Sequence, residues 1–254
     1  MIASVIIDHP GQRWIDGDPW ETAENIVEEV PVALVYNGIS HAVMMATPQD
    51  LEDFALGVSL TEGTLQSPRE LLDCAELYVS NGIRMELTIT SERFSDLHAR
   101  RRVLGDIEVS RPLRPVNMKR GISSAAIYRA TANLPRFQVI DRQVHATHAA
   151  AWATRDGTLA GVREDVGRHN ALDKLIGMMA RGGIDPEDGF ALITGRCSYE
   201  MVQKAVAIGI GVLVAVAGPT ALAVRTAESS RLTLIGWARG PRYTVYAHPQ
   251  RVLP

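Results

Sequence analysis

Ionisable side chains crowd the start of one segment of this sequence, at residues 162–177, which reads VREDVGRHNALDKLIG. Seven of its first thirteen residues carry such side chains, and the apolar residues that follow have the spacing of an amphipathic helix. Asp165, His169 and Asp173 are four residues apart, which predicts that they lie along one side of that helix, with Asp165 as its N-cap. His169 is then either part of a capped structural helix, or an acid, base or phosphate donor oriented by Asp165.

Three segments of the sequence combine glycine with the start of a predicted helix. They are REDVGRH at 163–169, TGRCSYE at 194–200 and AGPTALA at 217–223. A helix start offers free backbone N–H groups and a positive potential, and glycine lets an anion approach the backbone. Arg168 and Arg196 add guanidinium groups that bind phosphate through paired hydrogen bonds. Each segment alone is also explained as an ordinary turn, but together they predict a phosphate or nucleotide site.

A fourth segment adds an aromatic ring to this set of turns. It consists of Trp237, Ala238, Arg239, Gly240, Pro241 and Arg242. An indole ring can stack on a purine base, and the two arginines can bind its phosphates. A plain surface turn is the alternative interpretation.

His148 is a second histidine near these turns, on the strand predicted just before residues 163–169. It is interpreted either as a half-buried structural histidine or as a residue that shares one ligand with His169. A metal ion held by both histidines and a carboxylate would call for a diagnostic spacing such as H-E-x-x-H, which the sequence lacks. No metal site is predicted.

Alternating strands and helices position these segments in the second half of the chain. Two strands around Asp156-Gly157 precede the helix of residues 166–183, and strand–helix pairs then follow to a last strand near residue 247. This order predicts a largely parallel central sheet with helices on its faces. Ligands of such sheets bind outside the carboxyl ends of the strands, where the four segments are expected to meet.

The first half of the chain has a different pattern. Asn37-Gly38 and Asn81-Gly82 each lie between two β-rich runs and predict two hairpins, with a helix that starts at Pro48 between them. The sequence thus predicts an α/β protein in which a small α+β domain precedes a larger α/β domain. The predicted divisions are a tail at 1–27, the α+β domain at 28–98, a linker or functional loop at 99–121 and the α/β domain at 122–254.

The overall composition excludes several classes of protein. The chain has 254 residues, 46% hydrophobic and 22% charged, which is the usage of a folded globular protein. A net charge of -3 gives no global basic field, so nucleic-acid binding is not expected. The most apolar run, at 207–218, is too short to cross a membrane, and the first residues lack a signal-peptide pattern. We therefore expect a soluble, intracellular protein without nucleic-acid or membrane partners.

Several longer motifs resemble one known family. The motifs EEVPVALVYNG, LEDFALGVSLTEG, THAAAW, REDVGRHNALDKLIG, SYEMVQKA, LAVRTAE, LTLIGWARG and VYAHPQR occur in the order that is typical of the formate dehydrogenase accessory sulfurtransferase family, FdhD. The resemblance covers nearly the whole chain from about Glu28 onward.

This resemblance implies a function in formate dehydrogenase maturation. Members of the family accept persulfide sulfur from a cysteine desulfurase and pass it to the molybdenum bis-molybdopterin guanine dinucleotide cofactor, before its insertion into apo-formate dehydrogenase. The resemblance also implies homodimers and a larger domain similar to the three-layer cytidine-deaminase fold without its zinc. The motifs H-x-E and P-C-x-x-C are indeed absent, which excludes zinc-dependent deamination.

The resemblance also identifies the residues that would bind the cofactor. The guanine dinucleotide contacts of the family correspond here to Trp237, Ala238, Arg239, Gly240, Pro241 and Arg242. The helix starts with Arg168, His169 and Arg196, together with His148, are then the expected partners of its phosphates. A second hypothesis is a non-catalytic chaperone that docks to apo-formate dehydrogenase and delivers the cofactor. A third is a nucleotide hydrolase or deaminase that uses His169 as its base.

One part of the family pattern is missing. The family carries sulfur on a C-x-x-C motif between the two domains, and this chain runs from Gly105 directly to Asp106 at the corresponding place. The two cysteines of the chain are Cys74, expected to pack as an apolar residue, and Cys197, whose predicted position at a helix start would lower its thiol pKa. Three explanations stay open: a cofactor-binding member without sulfur transfer, a member that uses Cys197, or a natural loop longer than these residues.

Overall fold

In a computed structural model of the chain, residues 4–101 and 113–254 are described, without the side chains of residues 100 and 101. The junction of Gly105 and Asp106, where the family motif would be, lies outside the described residues.

A hairpin occupies the region that was predicted to be a tail. Strands β1 (Ile6–Ile15) and β2 (Asp18–Val27) pair antiparallel with each other. Asp16 and Gly17, at φ 52° and 96°, form the turn between them. An Asp-Gly pair is a strong hairpin signal, but the mostly polar residues around it hide the strands from a hydrophobicity pattern.

The small α+β unit has the two predicted hairpins. Its elements are β3 (Val30–Tyr36), β4 (Ile39–Ala46), α1 (Leu51–Thr61), β5 (Leu71–Val79), β6 (Gly82–Ile89) and α2 (Ser91–Arg101). The four strands form one sheet in the order β4-β3-β6-β5. Helix α1 starts at Leu51 and not at Pro48, because Asp50 has the left-handed backbone of φ 55° and ends the preceding turn.

The second unit is the predicted α/β domain. Its helices are α3 (Ser124–Phe137), α4 (Asp141–Val144), α5 (Arg168–Arg181), α6 (Tyr199–Ala207) and α7 (Ala221–Ser229). Its strands are β7 (Ile122–Ser123), β8 (His148–Thr154), β9 (Leu159–Asp165), β10 (Gly189–Ile193), β11 (Val212–Ala215), β12 (Thr233–Arg239), β13 (Arg242–Ala247) and β14 (Val252–Leu253). Every residue of β10 and β11 is buried, so both faces of the central sheet are covered.

The central sheet is mixed rather than largely parallel. Its six strands lie in the order β13-β12-β11-β10-β8-β9, and within the described residues the pairs β10–β11 and β11–β12 are parallel while the other neighbours are antiparallel. The sheet is less parallel than predicted because tight turns around Gly157 and Gly240 join neighbouring strands, and a short hairpin can join only antiparallel strands. The likeness to the cytidine-deaminase fold stays a prediction.

The two units meet where α1 packs against α5. A Cβ atom at Gly57 would lie 1.8 Å from the backbone oxygen of Asp173, and one at Gly177 would lie 1.8 Å from that of Asp53. The two helix backbones are therefore in direct contact, which only glycine permits at these positions. Arg163 reinforces the junction by donating from Nη2 to Asp53 over 2.7 Å.

Candidate functional site

The turns that follow β10, β11 and β12 meet at one edge of the central sheet. Backbone hydrogen bonds join them: the N–H of Thr220 donates to the oxygen of Cys197 over 2.9 Å, and that of Trp237 donates to Ala217 over 3.2 Å. We call the surface formed by these turns and the start of α5 the carboxyl edge; it comprises residues 166–169, 194–200, 217–220 and 236–242. The predicted convergence of the four segments is confirmed.

Trp237 stands at one end of the carboxyl edge with a strained backbone. Its φ is 55°, and the pairing of β12 with β13 is shifted between Gly236 and Arg239. A positive φ is a genuine outlier for a bulky side chain and is a feature of functional sites. The indole is half exposed and rests on Gly218, where a Cβ atom would lie 2.7 Å from ring carbon Cζ2.

The other residues of this segment surround that ring. Arg239 donates from Nε to the oxygen of Val216 over 3.1 Å, and Arg242 lies opposite Arg239 across the turn of Gly240 and Pro241. Both arginines and both turn residues are exposed, whereas the side chain of Ala238 is buried in the core. The segment therefore offers one aromatic face and two cations to a ligand.

Arg168 and His148 come together at the opposite end of the carboxyl edge. A Cβ atom at Gly195 would lie 3.2 Å from Cδ of Arg168 and 3.5 Å from Nδ1 of His148, so both side chains border this glycine. Burial and then the charge of Arg168 lower the pKa of His148, which keeps the imidazole neutral at neutral pH. The positive charge of Arg168 beside the imidazole makes this an unfavourable place for a metal ion.

His169 has a different partner from the one that the sequence predicts. Its Nε2 lies 2.8 Å from Oε2 of Glu200 on α6, in a close contact whose direction departs from hydrogen-bond geometry. Burial and the charge of Arg168 lower the pKa of His169, and Glu200 opposes that change. The carboxylate expected beside it, Asp165, instead pairs with Lys174 over 2.7 Å.

The reason for this difference is the position at which α5 begins. Its N-cap is Gly167, so Asp165 is the last residue of β9 and not a residue one helical turn before His169. The second predicted carboxylate, Asp173, points toward α1 and α6, where it pairs with Lys204 over 2.8 Å. The prediction that Asp165, His169 and Asp173 stack along one helix face is therefore wrong.

Two of the three helix starts at the carboxyl edge lack a side-chain cap. Gly167 has no side chain, and that of Ser198 makes no capping hydrogen bond, whereas the hydroxyl of Thr220 accepts from the N–H of Ala223 over 3.2 Å. The structure thus distinguishes the starts of α5 and α6 from that of α7. Uncapped N–H groups at adjacent helix starts favour a bound anion.

Buried hydrogen-bond donors accompany these two uncapped starts. Nε of Arg168, Oγ of Ser198 and Oη of Tyr199 are shielded from solvent and have no hydrogen-bond partner among the described residues. Each of these groups can donate a hydrogen bond, and a phosphate is rich in acceptors for such donors. Ser198 and Tyr199 are not named among the predicted site residues, although they lie within the predicted segment at 194–200. Arg196 is one of the predicted site residues, and its side chain is exposed.

The two thiols of the chain are poor nucleophiles. Cys197 is fully buried, and burial raises its pKa to about 12. The predicted lowering of this pKa is wrong, because α6 starts only at Tyr199 and the side chain of Cys197 packs into the core. Cys74 is partly buried on β5, and burial, followed by Glu52 and Asp73, raises its pKa to about 11.

A metal-ligand cluster and a membrane-spanning helix are both absent from residues 4–101 and 113–254. No group of three or more histidine, cysteine or acidic side chains is arranged there to hold a metal ion. None of the helices in this part of the chain is long and apolar enough to span a membrane.

Comparison with known proteins identifies the family of this chain. Residues 27–253 match the family described as FdhD/NarQ. The chain belongs to this family. It is 48% identical over 252 residues to the sulfur carrier protein FdhD of Cupriavidus necator, a match that covers 94% of this chain and 88% of the relative.

A solved structure extends the family likeness to the fold. The crystal structure of a protein from Desulfotalea psychrophila, described as a formate dehydrogenase accessory protein, superposes with a TM-score of 0.81 at 25% sequence identity. The match covers 98% of this chain and all of the other. This chain therefore shares its overall fold, including the small first unit, with that protein.

Proposed function

We propose that this FdhD/NarQ family member is a formate dehydrogenase maturation factor that binds the molybdenum bis-molybdopterin guanine dinucleotide cofactor at the carboxyl edge. The relatives named above, a sulfur carrier and a formate dehydrogenase accessory protein, support the biological setting. The observation that carries the binding site is the strained, exposed Trp237, held on Gly218 beside Arg239 and Arg242. The proposal includes apo-formate dehydrogenase and a cysteine desulfurase as partners, a homodimer, and a cytoplasmic location.

Each end of the carboxyl edge has its own part in this proposal. Trp237 stacks on a guanine base, and Arg242 binds the attached phosphates. The buried donors of Arg168, Ser198 and Tyr199 bind an oxyanion further along the edge. His148 and His169 remain uncharged at neutral pH because their pKa values are lowered, so they contribute hydrogen bonds rather than charge.

The variant Trp237→Ala tests this assignment with guanosine diphosphate, GDP, as the ligand. We expect the dissociation constant to rise about ten-fold or more, because stacking on an aromatic side chain is worth roughly 1–3 kcal/mol per base. Arg242→Ala should also weaken binding, while wild-type protein should prefer GDP to adenosine diphosphate. Isothermal titration calorimetry measures all four affinities.

The matched control is Trp20→Ala, which removes a similarly exposed indole from the β1–β2 hairpin. This variant should bind GDP as the wild type does. Absence of saturable binding at millimolar GDP, or unchanged affinity in both Trp237→Ala and Arg242→Ala, would contradict the proposed site.

A delivery chaperone without sulfur transfer is the second candidate function, and the state of the two thiols favours it. A sulfur carrier needs a thiolate that attacks a persulfide, and both thiols of this chain have raised pKa values. Such a protein would bind the finished or unfinished cofactor and deliver it to the apoenzyme.

Persulfide transfer separates these two functions. We expect that incubation with a cysteine desulfurase and cysteine leaves the intact mass of the protein unchanged, because neither Cys74 nor Cys197 presents a reactive thiolate. A mass increase by one sulfur atom, mapped to Cys197 by peptide sequencing and lost in Cys197→Ala, would show instead that the chain carries sulfur. The same spectrum shows whether the natural chain is longer than 254 residues.

A further inference from the structure

A buried hydrogen-bond network connects the first unit of the chain to the start of α5. It consists of Thr47, Asp165, Asn170 and Lys174, and we call it the Thr47 network. The exposed fraction of each of these residues is 6% or less. None of them belongs to the ligand-facing residues of the carboxyl edge.

Asp165 is the centre of the Thr47 network, and both of its carboxylate oxygens are saturated. Oδ1 accepts from the N–H of Gly167 over 2.8 Å and from Nδ2 of Asn170 over 3.0 Å. Oδ2 accepts from Nζ of Lys174 over 2.7 Å and from the N–H of Thr47 over 3.1 Å. The carboxylate thus fixes the residues just before α5 relative to the first unit.

The remaining hydrogen bonds of the network also join the start of α5 to the first unit. Lys174 also donates from Nζ to the backbone oxygen of Thr47 over 2.9 Å, and Asn170 donates to that of Met45 over 2.7 Å. The hydroxyl of Thr47 accepts from the N–H of Val166 over 3.1 Å. Strand β4 and the residue after it therefore hold the turn that leads into α5.

Stability alone does not account for such a network. A buried ion pair is on average no more stabilising than well-packed apolar side chains of the same size, because both charges must be desolvated. What the Thr47 network does provide is a defined position for Val166 and Gly167. Arg168 follows directly, and its side chain passes over Gly195 with Nε buried and without a partner.

We propose that Thr47, Asp165 and Lys174 are positioning residues for Arg168 and His169, so that the first unit contributes to ligand binding without contacting the ligand. This inference rests on the proposed function, in which the start of α5 binds an oxyanion of the cofactor. A small displacement of these residues would weaken binding, because hydrogen bonds to a bound anion depend steeply on distance and angle.

Thr47→Val tests the inference with GDP as the probe. The variant keeps the shape of the side chain and both backbone bonds of Thr47, but it leaves the N–H of Val166 without its acceptor. We expect the dissociation constant for GDP to rise roughly ten-fold, as for the loss of one hydrogen bond to a charged group, and amide exchange measured by NMR to accelerate at residues 166–169. Thr47→Ser retains the hydroxyl and should restore both properties.

Thr61→Val is the matched control. Thr61 is another buried threonine that joins the first unit to α5, through a 2.8 Å bond to Asp173, but away from the helix start. The Thr61→Val variant should lower the midpoint of urea unfolding as Thr47→Val does, and it should leave the affinity for GDP unchanged. Equal loss of affinity in both variants, or none in Thr47→Val, would overturn the inference. If Thr47→Val does not fold, Asn170→Ala breaks the same link and takes its place.

The two readouts separate this inference from the proposed function. If wild-type protein does not bind GDP, the proposed function fails, and the positioning network is then judged by amide exchange alone. Faster exchange confined to residues 166–169 in Thr47→Val supports the network in that case. Unchanged exchange at those residues overturns it.

Discussion

Gly177→Ala is expected to destabilise the protein by about 3 kcal/mol, although alanine is the better helix former. Gly177 lies inside α5, where helix propensity alone predicts a gain of about 1 kcal/mol for this change. The packing of α5 on α1 reverses the sign, because the new Cβ atom would lie 1.8 Å from the backbone oxygen of Asp53. The two helices must then separate along their whole contact.

Urea denaturation at equilibrium measures this effect. Gly57→Ala on the facing helix should lower the free energy of unfolding by a similar amount, since its Cβ atom would lie 1.8 Å from the backbone oxygen of Asp173. Gly11→Ala in β1 is the control, because no heavy atom lies within 4 Å of the added carbon. It should change the free energy of unfolding by less than about 0.5 kcal/mol. A Gly177→Ala protein as stable as the wild type would show that the helices are not in backbone contact.

Lys204→Met is expected to be the second strongly destabilising change, at roughly 3 kcal/mol at pH 8. Lys204 donates to both carboxylate oxygens of Asp173 over 2.8 and 2.9 Å, and the carboxylate is completely buried. Without the ammonium group, the hydroxyl of Thr61 is the one side-chain donor that Asp173 keeps among the described residues. A buried charge without its counterion accounts for the loss.

This loss should depend on pH with a defined sign. Burial raises the pKa of Asp173 above its ordinary value, and Lys204 opposes that rise. Because Lys204→Met removes the opposing charge, the folded-state pKa rises further in the variant. As pH falls through this raised pKa toward the value of the unfolded chain, the carboxyl protonates in the folded state and stability returns, by at most about 1.4 kcal/mol per pH unit.

The double variant Asp173→Asn/Lys204→Met is the control for this interpretation. It removes the charge as well as the counterion, so it should be more stable than Lys204→Met at pH 8 and should show little dependence on pH. Urea unfolding of both variants at pH 8 and pH 5 makes the comparison. If Lys204→Met lost the same free energy of unfolding at both pH values, a buried, charged Asp173 would not be the cause of the loss.

Local signals in the sequence were sufficient for many elements of the fold. Asn-Gly pairs between β-rich runs predict the hairpins β3–β4 and β5–β6, and alternating apolar segments predict the order from β8 to β13. The convergence of the glycine-containing turns follows from a general property of α/β sheets and needs no contact information.

The partners of the charged residues could not be predicted in this way. Spacing pairs Asp165 with His169, because the rule for four-residue intervals considers one helix alone. The partner that Asp165 has, Lys174, points toward Thr47, which is 118 residues earlier in the chain than Asp165. Likewise, the positive φ of Trp237 results from the pairing of β12 with β13, and the burial of Cys197 results from the core around it.

Hydrogen–deuterium exchange with and without GDP tests most directly whether the carboxyl edge is the ligand site. We predict slower exchange at residues 195–199 and 236–242 when GDP is bound, with the β1–β2 hairpin unchanged. Saturating GDP that protects neither of these segments, or that protects the hairpin instead, would contradict the account.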